Sequence, residues 1–198
     1  PRAPLRRRTA PGRGAPARPM SLSTRCPSCA TTFRVQPAQL AARSGKPAYH
    51  LRRHQGFWRY LVVRLGRNTG QTMVNLVTHE GPVPNQQELV ATLVHDFPSI
   101  TSLVRSVNTR RASIAVGESE ELLHGSSEIE EKLGGLRFRI SANSFFQTNT
   151  AQAERLFATA VDWAGIGGGD EVLDLYAGTG AISLFLAQRA RRVTGIEL

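Results

Sequence analysis

The sequence predicts an α/β protein, in which the start of a Rossmann-like domain follows a small α+β unit and a disordered basic tail. Three observations predict this. Residues 172–180, Val-Leu-Asp-Leu-Tyr-Ala-Gly-Thr-Gly, read as an apolar strand breaking into a glycine turn. A second apolar strand ends at Glu197, seventeen residues after Gly180. Ahead of both, residues 47–140 carry several short strand patterns and one helical pattern.

Taken in chain order, residues 1–19 hold six arginines, no acid and Pro1, Pro4, Pro11, Pro16 and Pro19. Such a segment cannot bury enough apolar surface to fold, and it lacks the apolar core of a signal peptide. It is expected to be a disordered tail or upstream sequence wrongly joined, with Met20 a plausible start. Residues 20–46 contain both cysteines of the chain, Cys26 and Cys29, at the Cys-x-x-Cys spacing of a zinc knuckle. Two ligands are not four. His50 and His54, spaced i, i+4, are the weak substitutes, and the expectation is an incomplete zinc-ribbon segment without metal. So few cysteines argue against a disulfide scaffold and for a reducing compartment, hence the cytoplasm.

Residues 47–142 are expected to form the α+β unit. From Phe57 the residues alternate in strand fashion to Leu65, residues 66–70 (Gly-Arg-Asn-Thr-Gly) break the run, and Gln71 to Val77 resumes it, which reads as a hairpin. Asn85 then heads a helix with Leu89, Val90, Leu93, Val94 and Phe97 on one face, closed by Pro98. Residues 100–107, 112–116 and 136–140 read as further strands. Residues 143–198 begin the Rossmann-like domain. Phe145 and Phe146 are expected to pack under the next helix, Asn149 and Gln152 have capping-box form, and Ala153, Leu156, Phe157, Ala160, Val161 and Ala164 line one helix face that stops at Gly165.

The charge is uneven. Of a formal +10, the tail holds +6; residues 43–111 set ten basic residues against three acidic ones, and residues 118–131 counter with six glutamates. No stretch is long enough to span a membrane. A folded basic region beside a nucleoside pocket suits a polyanionic partner such as RNA. Arg52, Arg53 and Arg59 are candidate phosphate contacts and Trp58 a candidate stacking face; against this stands the reading that Trp58 and Tyr60 merely cover a sheet face and the arginines are solvated surface.

Gly178 and Gly180 let the backbone turn where a Cβ would clash with a ligand, and Glu197 falls where a carboxylate can accept hydrogen bonds from two ribose hydroxyls. A dinucleotide fingerprint would place a third glycine where Ser183 stands. Asp174, four residues before Gly178, followed by Gly178, Gly180 and Glu197, is instead the pattern of S-adenosylmethionine-dependent methyltransferases. With residues 140–149 (Ile-Ser-Ala-Asn-Ser-Phe-Phe-Gln-Thr-Asn), 193–197 and the segments 52–57 and 75–78 added, residues 47–198 resemble the RNA 5-methyluridine methyltransferase family.

The resemblance implies S-adenosylmethionine as cofactor, methylation of uridine C5 in ribosomal or transfer RNA, and cofactor contacts from Gln147, Tyr176, Gly178, Gly180 and Glu197. At the position after the second glycine, where the family often has asparagine, this chain has Ala181. The implied chemistry adds a cysteine thiolate to uracil C6 before the methyl group is accepted, then removes the C5 proton with a base. No cysteine follows Cys29. The nucleophile and base of the family are therefore expected beyond Leu198, and this polypeptide alone is expected to be truncated, inactive and poorly stable. No four-cysteine set supports an iron–sulfur cluster, and oligomeric state is not legible. Two rival readings are a nucleic-acid-binding zinc-ribbon regulatory module and a methyltransferase for a non-RNA acceptor.

Overall fold

In the computed structural model, the structure describes residues 43–197 together with the backbone of residues 22–25 and 32–35. Residues 1–19 and the cysteine pair therefore lie outside the described residues. Within the ribbon-like segment, β1 (Leu22–Arg25) and β2 (Thr32–Val35) pair antiparallel.

The central unit is a four-stranded sheet in the order β3-β4-β5-β6. β3 (Trp58–Leu65) and β4 (Thr72–Thr78) form the expected antiparallel hairpin. α1 (Gln86–Asp96) then crosses over, so that β5 (Ile100–Val107) runs parallel to β4, and β6 (Ser119–Gly125) returns antiparallel. A parallel pair needs such a crossover. Every residue of β4 is buried, because both faces of the strand are covered. Val74 and Leu76 pack with Leu89 and Leu93 of α1, whereas Met73 joins Val104 of β5 in a second cluster on the opposite face.

That second cluster continues beyond the central sheet. It takes in Ile129 and Leu133 of β7 (Glu128–Leu133), Phe138 and Ile140 of β8 (Leu136–Ser141), Ala153 and Val161 of α2 (Thr150–Ala164), and Phe185 and Leu186 of α3 (Ala181–Leu186). The β7–β8 ribbon is thus packed between the central sheet and the final unit. The final unit holds β9 (Glu171–Leu175) and β10 (Arg192–Ile196), paired parallel with α3 between them. Val172 and Val193 face the cluster, while Leu173 and Leu175 on the other face are 57% and 60% exposed. Among the described residues no helix is long and apolar enough to cross a membrane.

Three expectations need correction. Residues 112–116 are not a strand; the chain runs irregularly there, and the edge position beside β5 is taken by β6. Phe146 packs against the cluster with its ring 5.4 Å from that of Phe138, but Phe145 is 75% exposed. Leu156, placed by its spacing on the apolar face of α2, is 59% exposed, because the buried contacts of that helix are made by Thr150, Ala153 and Val161. By contrast, Asn149 caps α2 as anticipated, its side chain accepting the Gln152 N–H at 3.2 Å, and Gly165 closes the helix in the left-handed region.

One buried carboxylate ties these parts together. Glu131 is 1% exposed and accepts from the backbone N–H groups of Arg67 (2.7 Å), Asn68 (2.9 Å) and Lys132 (2.8 Å) and from the Thr150 hydroxyl (2.9 Å). Glu131→Ala leaves the buried Thr150 hydroxyl and three partly buried backbone N–H groups without this acceptor and is expected to lower the unfolding free energy by about 3 kcal/mol in urea titrations. A loss of a few tenths would mean that water replaces the carboxylate.

Candidate cofactor loop and RNA-facing surface

Because β9 and β10 are parallel, their carboxyl ends open on the same side, which is where open α/β sheets bind ligands. The chain leaving β9 turns sharply there. Tyr176, Gly178 and Gly180 have φ of 63°, 56° and 73°. Only glycine adopts this region without cost, so Tyr176 is a non-glycine residue held in a sparsely populated conformation, and its side chain is 78% exposed. The turn is pinned from three directions. The Ala177 N–H donates to the Ile196 carbonyl at 3.0 Å, the Gly180 N–H to the Ala177 carbonyl at 2.8 Å, and the Ser183 hydroxyl to the Asp174 carboxylate. The hydroxyl at the third-glycine position therefore fastens the helix to the strand.

Glu197 closes the arrangement. It follows β10 directly, and its Oε2 accepts the Gly178 N–H at 2.7 Å. Tyr176, Gly178, Gly180 and Glu197 are thus gathered at one end of the two strands. Among the described residues, and apart from the chain immediately around each glycine, no atom comes within 4 Å of the point where a Cβ would stand on Gly178 or Gly180. The glycines are required by backbone angle, and the space before them is open.

Gln147 is placed elsewhere, on the segment between β8 and α2. It lines a pocket of about 190 Å³ with Arg64, Glu131, Phe146, Thr148 and Thr150 among its walls, and none of the residues lining that pocket belongs to the glycine turn. The central unit holds this segment in place. The Arg64 guanidinium donates to the Ala142 carbonyl at 3.1 Å, and the Asn143 carboxamide oxygen accepts the Gly117 N–H at 2.9 Å. Burial depresses the Arg64 pKa below its ordinary value, with Glu120 opposing the shift.

The basic candidates divide. Arg52 and Arg53 are exposed on a turn. Trp58 is half-buried, donates from Nε1 to the Ser44 hydroxyl at 2.8 Å and packs perpendicular to the Phe57 ring, so hydrogen bonding and packing hold it in place. Arg59 donates to the carbonyls of Asn108 (2.8 Å), Arg110 (2.7 Å) and Ala112 (3.0 Å) and lies over the Tyr49 ring. Its guanidinium fixes a loop. Sequence reasoning did not link Arg59 to Tyr49 or to the 108–112 loop, because Tyr49 is brought to it by the backbone pairing of Tyr49 with Trp58 and the loop after β5 reaches it from across β4.

The same loop carries a pH-sensitive anchor. Hydrogen bonds from the Thr109 hydroxyl and backbone N–H, aided by Arg110, hold the Glu118 carboxyl below the usual carboxylate range. A depressed carboxyl pKa means that the contact stabilises fully above the unfolded-state value and is lost as pH falls through the lower folded-state value. Amide protection at Thr109 and Arg110, taken relative to the intrinsic exchange rate at each pH, is expected to fall on acidification below that range, and Glu118→Gln is expected to abolish this change in protection. Identical pH profiles in the two proteins would contradict the assignment.

An open glycine turn and a carboxylate at the carboxyl ends of parallel strands form the kind of crevice in which α/β proteins receive ligands. A sequence model of the tRNA (uracil-5-)-methyltransferase family matches residues 65–198, and the chain belongs to that family. Uncharacterized RNA methyltransferases of Porphyromonas gingivalis and Oceanobacillus iheyensis are 43% and 39% identical over 152 and 160 residues, or 76% and 81% of this chain. The chain spans only 32% and 35% of their respective lengths. The crystal structure of Pyrococcus abyssi tRNA (uracil-54, C5)-methyltransferase in complex with S-adenosyl-L-homocysteine is similar at a TM-score of 0.64 and 29% identity, covering 81% of this chain and 38% of that one.

If Tyr176 is held in its strained conformation by the fold, Tyr176→Gly should relieve about 1 kcal/mol of backbone strain, roughly offset by the greater freedom of glycine in the unfolded chain. Thermal unfolding is expected to be nearly unchanged. A clear loss of stability would show that the ring itself supports the turn.

Proposed function

We propose that this chain contributes the cofactor site and part of the RNA-binding surface of an S-adenosylmethionine-dependent methyltransferase acting on uridine C5. The observation that carries the reading is the Gly178–Glu197 pairing at the carboxyl ends of β9 and β10, with open space in front of both glycines. The residues fit such a cofactor. Among the described residues the exposed Glu197 carboxylate is engaged only through Oε2, which leaves Oε1 for ribose hydroxyls, the turn offers backbone groups at close range, and the exposed Tyr176 ring supplies a face for an adenine or sulfonium group. When bound, the cofactor supplies an electrophilic methyl group.

The chain's own residues bind and orient. Glu197 selects the ribose, Gly178 and Gly180 admit it and Tyr176 covers it, while Gln147, which lines a pocket that the glycine turn does not enter, is assigned to the cofactor by the family resemblance alone. Transfer RNA is favoured over ribosomal RNA by the family and by the substrate named for the Pyrococcus abyssi protein. Arg52 and Arg53 remain RNA contacts in this reading, while Trp58 and Arg59 act through packing. The cytoplasm is the compartment in which such RNA is met.

Methylation at C5 needs a thiolate for C6 and a base for the C5 proton. The sequence has no cysteine after Cys29, so residues 1–198 alone are proposed to bind the cofactor without completing methyl transfer. Calorimetric titration with S-adenosylhomocysteine tests the site. Saturable binding is expected, and Glu197→Ala is expected to weaken it between tenfold and a hundredfold, the value of one or two charge-assisted hydrogen bonds (about 1.4 to 2.8 kcal/mol). Unchanged affinity in Glu197→Ala would remove the basis of the assignment.

A further inference from the structure

We infer that the turn 50–55 and the loop 109–112, riveted together by Arg59 and Tyr49, form a preorganised basic edge that grips the phosphodiester backbone of RNA. The inference rests on the RNA-methyltransferase reading and extends it to Arg110 and Arg111, with Arg59 as the part that sets the geometry.

The turn is built to hold its shape. The His50 N–H donates to the Gln55 carbonyl at 2.7 Å, and the His54 N–H donates back to the His50 carbonyl at 2.8 Å. The backbone N–H groups of Arg52 and Arg53 both donate to the His50 ring Nδ1 at 3.3 Å. His54 sits at φ 52°, a conformation that non-glycine residues enter only when the surroundings impose it. Gly56 is fixed by close approach, since a Cβ there would stand 2.3 Å from the Ala48 carbonyl oxygen. Arg52 and Arg53 are therefore displayed from a rigid tip, exposed and without an ion pair among the described residues.

The loop is pinned from inside. The Asn108 carboxamide, fully buried, donates to the carbonyls of Ile114 and Val116 at 2.8 Å each, and its oxygen accepts the Arg110 N–H at 3.0 Å. Arg59 then bridges loop and turn, donating to three loop carbonyls while its guanidinium lies 4.1 Å from the Tyr49 ring centroid. Tyr49 in turn stacks on His79, at 6.3 Å and 14° between planes. Residues 49–54 and 108–113 together contribute Arg52, Arg53, Arg110 and Arg111 and no acid, and Arg59 of β3 joins them. Glu118 answers only Arg110.

Fixed arginine forks suit phosphate oxygens, and cations already held in place lose less conformational freedom on binding. Phosphate contacts of this kind orient the RNA and carry no base sequence information. The edge is therefore a positioning surface for the RNA strand.

The test uses the 198-residue chain and a fluorescent unmodified tRNA transcript, with anisotropy titrations at several salt concentrations. The triple variant Arg52→Gln, Arg53→Gln, Arg111→Gln is expected to weaken binding by at least tenfold and to reduce the salt slope by about 2 to 3. A control triple of equal charge, Arg139→Gln, Arg155→Gln, Arg192→Gln, is expected to change the slope by less than about 1. Arg59→Lys keeps the charge but cannot span the loop carbonyls, and is expected to weaken binding as well. Equal effects of the two triples, or wild-type binding in both Arg59→Lys and the loop triple, would overturn the inference while leaving S-adenosylhomocysteine binding untouched. Absence of tRNA binding by the wild-type chain would overturn it together with the RNA reading.

Discussion

The structure depends on the buried carboxylate of Glu131. A carboxylate removed from water is costly unless its oxygens are satisfied, and here four donors converge on it from the hairpin turn, its own strand and the first residue of α2. The hairpin-turn donors lie 64 and 63 residues from Glu131 in the chain, and Thr150 lies 19 residues from it. The contact therefore fixes how the β3–β4 hairpin, the β7–β8 ribbon and α2 meet, and with them the stretch that carries Gln147. The apolar cluster from Met73 to Leu186 supplies most of the cohesion, while Glu131 supplies direction, because hydrogen bonds specify geometry where apolar burial does not.

Beyond that junction the final unit is built asymmetrically. One face of the β9–β10 pair lies on α2 and α3, and the other presents Leu173 and Leu175 to solvent. Leu156, Trp163 and Ile196 are exposed as well. Exposed apolar groups in such number mark surfaces that other elements or partners cover. The residues aligned with this chain make up 35% and 32% of the Oceanobacillus iheyensis and Porphyromonas gingivalis relatives. The carboxyl ends of β9 and β10 are nevertheless complete enough to place a glycine turn and its acidic partner within hydrogen-bond distance.

The parts legible in the sequence were those governed by local rules. The β3–β4 hairpin follows from alternation broken by Gly66 to Gly70, α2 from its Asn149 cap and Gly165 stop, and the strand–turn–helix at residues 171–186 from apolar residues yielding to glycine. What was hidden depended on distant partners. β6 and β7 were masked by glutamates: in Glu128–Leu133 only Ile129 and Leu133 announce a buried face, and the third inward residue is Glu131, whose burial makes sense only once its donors are in view. Trp58 and Arg59 looked like nucleic-acid contacts by type, yet their partners are Ser44, Tyr49 and the carbonyls of residues 108–112. Phe145 and Phe146 are indistinguishable by composition, and only their neighbours decide that one packs and the other is exposed.

The central claim is that the turn from Tyr176 to Gly180, together with Glu197, receives the nucleoside of a methyl-donor cofactor. Titrating S-adenosylhomocysteine into nitrogen-labelled protein and following backbone amide shifts tests it most directly. The account predicts that the largest shifts fall on residues 176–181 and Glu197, with a smaller response near Gln147. Shifts centred instead on the α1 face or the 50–55 turn, with residues 176–181 unmoved, would contradict it.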